Sequence, residues 1–250
     1  MNANVKSTKS ETKKNSVSET GHAKNIANFE TEIAFCIGYG ADYNPSNPNL
    51  KIDSLQAKWQ TAKLKLKAVK DTKIPFDSVT GTRQILFKPL KPLITRVMNA
   101  LIAQKAPKTV IKDAKTLIRK INGKRASEPE SENENTISVS QQSFDRLIDN
   151  FEELIVLAQT EAKYNPNEED LKTTALQTVL DQLTAANSLV KNVYVPYSKA
   201  MIARNKELYE PETGLLDIAQ EVKNYVKSVF SATSPEYRQI SGIEFKNPGE

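Results

Sequence analysis

This chain of 250 residues has one histidine, one cysteine, one tryptophan and only eight glycines. With His22 alone, a Ser-His-Asp triad and a histidine-built metal site are both excluded. Cys36 has no second cysteine with which to close an intramolecular disulfide. It stands in the apolar run Ile33-Ala34-Phe35-Cys36-Ile37. A small core residue is expected there, not a reactive thiol, which needs basic or polar neighbours. Gly38 and Gly40 lack the strand, the lysine and the spacing of a phosphate-binding loop. The Glu-x-x-His pairs of a metal-holding helical bundle are missing as well. No apolar run reaches 18 residues, so a transmembrane helix is not expected. The opening MNANVKSTKSETKKNSVSET contains no apolar stretch of the kind a secretory leader needs. These absences point away from an enzyme and from any cofactor, with the cytoplasm as the expected location.

What the chain does contain favours helices. Apolar residues make up 38%, enough for a core, and long stretches are rich in Lys, Glu, Gln, Ala and Leu. The expected class is all-α. The net charge of +5 conceals a division between the halves. Residues 1–125 hold 24 Lys and Arg against 9 Asp and Glu, a net of +15, whereas residues 126–250 hold 11 against 21, a net of −10.

Short strings recur about 122 residues apart, the signature of an internal repeat. Ile26-Ala27-Asn28-Phe29-Glu30 matches Ile148-Asp149-Asn150-Phe151-Glu152, so Phe29 pairs with Phe151. One residue shorter in offset, Tyr43-Asn44-Pro45 matches Tyr164-Asn165-Pro166. That register also pairs Leu55-Gln56 with Leu176-Gln177, Pro75 with Pro196 and Arg83 with Arg204. Between residues 41 and 83 there are 12 identities, where about 3 are expected by chance. Further on, Phe87, Pro89 and Leu93 pair with Tyr209, Pro211 and Leu215. The expected organisation is therefore two homologous helical units, residues 23–121 (basic) and 137–245 (acidic). They would be separated by a flexible acidic linker at 122–136 and flanked by a disordered basic tail at 1–22 and a short tail at 246–250.

Periodicity places the helices. In the second repeat, Leu147, Ile148, Phe151, Leu154, Ile155 and Ala158 share one face, predicting a helix over about 141–160 with Ser140 as its cap. After the Tyr164-Asn165-Pro166 break, Asn167 is the expected cap of a long helix that runs toward Tyr209, with a kink or an end at Pro196. A third helix is expected at 213–231, and Ser234-Pro235 opens a short last turn. The first repeat predicts helices at 24–38, 49–74 and 91–104, its middle one stopping early because Gly81 follows Pro75. A further helix is predicted at 107–121.

The paired Tyr-Asn-Pro turns read as structural: Pro stops one helix, Asn caps the next and Tyr packs over the junction. Arg83 and Arg204 read as half-buried side chains tied to carboxylates or helix-end carbonyls, with ligand binding the weaker alternative. Trp59 aligns with Leu180 and is expected in the core. The lysines form stripes. Lys58, Lys63, Lys65, Lys67 and Lys70 crowd the middle helix of the first repeat. Lys105, Lys108, Lys112, Lys115 and Arg119 follow at i, i+3, i+7, i+10 and i+14, opposite Val110, Ala114, Leu117 and Ile121. Such faces are simply solvated, or dock acidic protein surface, or contact phosphates on nucleic acid or membrane. No recognised DNA- or RNA-binding motif accompanies them.

Over residues 137–245, Val139-Ser140-Gln141-Gln142-Ser143-Phe144-Asp145, Ile148-Asp149-Asn150-Phe151, Ala203-Arg204-Asn205 and Tyr225-Val226-Lys227-Ser228-Val229-Phe230 resemble a family of uncharacterised bacterial helical proteins. The resemblance implies a bacterial cytoplasmic helical protein and no activity, cofactor or site. The leading expectation is thus a non-enzymatic helical interaction or scaffold protein, with a protein partner or self-association. Nucleic-acid association through the first unit is the alternative, and a membrane-acting amphipathic protein a more remote one. No small-molecule ligand is inferred.

Overall fold

The structure is a computed structural model and describes residues 19–124 and 142–247. Among the described residues it is helical, with no strand. The α-helices are α1 (Glu19–Gly38), α2 (Ile52–Phe87), α3 (Leu90–Ala103), α4 (Lys108–Asn122), α5 (Phe144–Thr160), α6 (Thr173–Tyr209), α7 (Leu215–Phe230) and α8 (Pro235–Ser241). The all-α expectation holds. No described helix is long and apolar enough to cross a membrane.

The early stop expected after Pro75 is absent, and the long helix of the second repeat reaches Tyr209 as expected. α2 runs through Pro75 and Gly81, and α6 runs through Pro196. Both prolines lie on exposed faces, where water takes over the backbone hydrogen bond that the ring removes. A methyl group added at Gly81 would meet nothing within 4 Å, so this glycine marks neither a turn nor a close approach. Two predicted caps also differ. Asn167 does not cap: the short 3-10 turn Glu169–Leu171 follows Glu168 instead, and α6 begins beyond it. α5 starts at Phe144, capped by Ser143, whose side chain accepts from the Arg146 N–H. Ser140 lies outside the described residues, as do residues 1–18 of the expected tail and 125–136 of the expected linker. His22, expected at the edge of that tail, is buried on α1 at 2% exposure.

The chain forms two compact units, and neither coincides with one of the sequence blocks 23–121 and 137–245. Of the described residues, the first unit comprises those up to 70 and those from 199, the second those between 71 and 198, with the boundaries falling inside α2 and α6. In the first unit, Phe29 and Ile33 of α1, Leu55 of α2, Leu208 of α6, and Leu215, Val222 and Val226 of α7 share one core. In the second, Ile94 and Leu101 of α3, Leu117 and Ile121 of α4, Phe151 and Leu154 of α5, and Leu176 and Leu183 of α6 share another.

The same local devices appear in both units. Tyr43 donates its hydroxyl to the Leu50 carbonyl at 2.8 Å, and Tyr164 donates to the Leu171 carbonyl at 2.8 Å. Pro45 and Pro166 are buried beside these turns. α1 buries Phe29, Glu32, Ile33 and Cys36, and α5 buries Phe151, Leu154, Ile155 and Ala158 at the same spacing. α3 buries Leu90, Ile94, Val97, Met98 and Leu101, while α7 buries Leu215, Ala219, Val222, Lys223 and Val226, again at the same spacing. That register matches Leu90 to Leu215, three residues away from the sequence pairing of Leu93 with Leu215. The loop before α7 is longer, which accounts for the shift.

Candidate functional site

The most distinctive surface feature of the first unit is an open groove of about 490 Å³ between α1 and the start of α2. One wall is α1, whose Ala23 and Ala27 are one turn apart, with Ile26 between them and Glu30 beyond. The other wall is α2, with Trp59, Leu64 and Leu66. Lys63, Lys67 and Lys70 recur along it one turn or less apart and form a basic rim. Leu64 is 65% exposed, an apolar side chain left in water. Lys63 lies over the Trp59 ring, 4.7 Å from its centre. The sequence expected Trp59 in the core, in register with the buried Leu180. It is instead half-buried in the groove wall, and its indole N–H has no hydrogen-bond partner.

Not all the expected basic residues share this face. Lys58 turns away from solvent and pairs with Glu207 of α6 at 2.9 Å. Lys65 is exposed but does not line the groove. In the second unit, Lys108, Lys112 and Lys115 are exposed along α4, with Lys105 exposed in the turn before it. None of these four forms an ion pair among the described residues, whereas Arg119 is half-buried. Ala114, Leu117 and Ile121 occupy the buried face of α4, as the periodicity predicted.

The two expected arginines sit differently. Arg83, in the second unit, donates to the Asn187 side chain at 2.9 Å and lies over the Phe144 ring at 3.9 Å. Asn187 in turn donates to Asp145 at 2.8 Å, and Lys191 pairs with the same carboxylate at 2.7 Å. The Lys191 hydrogen bond is the main cause holding the Asp145 carboxyl below its usual range. Arg204, in the first unit, is buried and bonds the Asn205 side chain at 2.8 and 3.0 Å. Neither arginine is among the residues that line the α1–α2 groove.

Comparison with known proteins finds no match. No family model, no curated protein and no solved structure matches this chain.

Sequence reasoning missed the most unusual chemical group of the first unit. Glu32 is fully buried on α1, and both of its carboxylate oxygens lack a hydrogen-bond partner. Burial pushes its carboxyl up to about 8, against the opposing pull of Lys223. Lys223, also buried, donates to the Ile243 carbonyl and lies 5.1 Å from the centre of the Phe245 ring. The segment carrying these two residues is tied down further: Asn25 donates to the Lys246 carbonyl at 2.7 Å and accepts from its N–H at 3.1 Å. Cys36, one turn along α1, is buried as expected, and its thiol is pushed up to about 12 by desolvation. A signal for Glu32 was present in the sequence, because it interrupts the apolar row Ile26, Phe29, Ile33 and Cys36 at the position where α5 has Leu154. Among the described residues no group of three or more His, Cys, Asp or Glu could hold a metal ion.

Proposed function

We propose that this is a non-enzymatic helical interaction protein, built from a duplicated module, that acts by presenting helix faces to a protein partner. The observation that carries the reading is the α1–α2 groove, where an apolar floor and an exposed Leu64 lie beneath a lysine rim. A solvated apolar side chain beside a small-residue wall gains by being covered. Duplication is supported by the paired Tyr-to-Leu hydrogen bonds and by the matched burial of α1 with α5 and of α3 with α7. In this reading each compact unit combines the first part of one repeat with the second part of the other. The cytoplasmic, bacterial setting rests on the likeness seen over residues 137–245. Crosslinking in cells followed by purification of the intact chain tests the interaction reading. A specific partner or a defined oligomer is expected, and a monomer that crosslinks to nothing specific would remove it.

One observation favours a second reading, association with nucleic acid. Lys108, Lys112 and Lys115 along α4, and Lys105 in the turn before it, are exposed and form no ion pair with a described residue. Phosphate contacts through these lysines would make retention of DNA or RNA fall steeply with salt. Absence of retention at low salt would dismiss it.

A further inference from the structure

We propose that the α1–α2 groove receives an acidic amphipathic helix of a partner protein. The proposal rests on the interaction reading above and names the partner's chemistry. Ala23 and Ala27 give the α1 wall no bulk, so a guest backbone can approach closely. The opposite wall follows α2 from Trp59 to Lys70, a rise of roughly 16 Å at 1.5 Å per residue, or about three turns. A guest helix of that length with apolar residues at i, i+3 or i+4, and i+7 spans the floor and covers Leu64.

Charge selects the sign of the guest. Lys63 and Lys70 lie on the rim, and Glu30 is the one acid among the residues that line the groove. Flanking glutamates or aspartates on the guest would complement this rim, and lysines would be repelled by it. The same argument disfavours the chain's own residues 1–18, which carry four lysines and one glutamate. A fatty acid would satisfy one lysine but leave much of its chain in water, because the groove is open along its side.

Trp59 is the only tryptophan in the chain, so its fluorescence reports directly on the groove. The full-length protein is titrated with a synthetic helix-forming peptide of about four turns, leucine on one face and glutamate on its flanks. A counterpart peptide carries lysine in place of each glutamate, and laurate serves as a lipid probe. The acidic peptide should shift Trp59 emission saturably and bind about tenfold more tightly than the basic one, with the difference shrinking in salt. Lys63→Glu combined with Lys70→Glu should reverse that preference. Ala27→Leu, on an exposed position, should fill the groove and abolish binding while helical circular dichroism stays unchanged. No shift, equal affinity for both peptides, a preference untouched by charge reversal, or a response to laurate alone would each overturn the proposal. So would a dimer that dissociates in Ala27→Leu, since the occupant would then be a second copy. If the peptide fails but a specific partner still crosslinks in cells to wild type and Ala27→Leu alike, only the groove assignment falls. If no partner crosslinks, the interaction reading falls with it.

Discussion

Replacing Glu32 by glutamine should stabilise this protein, and more so as the pH rises. In the folded chain the Glu32 carboxyl is buried without a hydrogen-bond partner and titrates near 8, against 4.5 for an ordinary glutamate. The folded state therefore holds a proton that the unfolded state gives up between about pH 4.5 and 8. Stability from this site is fully present below 4.5 and is lost progressively as the pH climbs to 8. Each unit of separation is worth about 1.4 kcal/mol, so at pH 7 the glutamate costs roughly 3 kcal/mol relative to acid. That is a large share of the 5–15 kcal/mol by which a typical domain is stable.

Glutamine keeps the shape and removes the titration. Urea unfolding followed by circular dichroism, at pH 5 and at pH 8, gives the difference between variant and wild type at each pH. The difference should be larger at pH 8 by roughly 3 kcal/mol. Other titrating groups contribute to both proteins and drop out of the comparison. Glu32→Leu, copying Leu154 of α5, also removes the unpartnered oxygens and should stabilise further. If wild type and Glu32→Gln change stability in parallel between pH 5 and pH 8, the carboxyl is not the desolvated group described above.

Tyr43→Phe and Tyr164→Phe should each destabilise by about 1–2 kcal/mol, because each leaves a buried leucine carbonyl without its donor. Chemical denaturation reads both, and a loss confined to one variant would show that the two turns are not equivalent. Gly81→Ala should stabilise α2 by about 0.5–1 kcal/mol, since the added methyl group meets nothing and the unfolded chain loses freedom. A fall in melting temperature would mean that α2 bends at that point. Residues 1–124 and 142–250 expressed separately should each lack cooperative unfolding, and mixing them should restore it, because both cores draw on both fragments. Cooperative unfolding of either fragment alone would contradict that division of the cores.

Most helices were legible because their apolar rows are long and regular. Phe151, Leu154, Ile155 and Ala158 lie on a single face and need no tertiary information to be recognised. Pro75 misled because proline propensity is a local quantity, whereas its cost depends on whether the disturbed backbone faces protein or water. The basic face of α4 was legible for the same reason as the apolar rows. The groove was not, since it needs two helices, Ala23 and Ala27 on one and Trp59 and Lys63 on the other, brought together by folding. Lys58 shows the opposite error: its place among the lysines of the middle helix suggested an exposed stripe, but Glu207, distant in sequence, claims it.

The division of the cores was beyond the sequence for a deeper reason. Two segments that bury the same residues at the same spacing, as α3 and α7 do, present nearly interchangeable apolar faces to α1 and to α5. Periodicity fixes which face is buried but not which partner buries it. What breaks the near-symmetry is polar chemistry at single positions. Glu32 on α1 and Lys223 on α7 are buried in one core, at the places where α5 and α3 put Leu154 and Met98 in the other. Bringing α1 against α3 would set the Glu32 carboxyl beside methionine, while α7 against α5 would bring the Lys223 ammonium to a leucine. A buried ammonium without a partner costs several kcal/mol, so Lys223 disfavours the mismatched pairing. Lys223, whose ammonium is held by the Ile243 carbonyl, thus distinguishes α7 from α3 as the helix that α1 accepts.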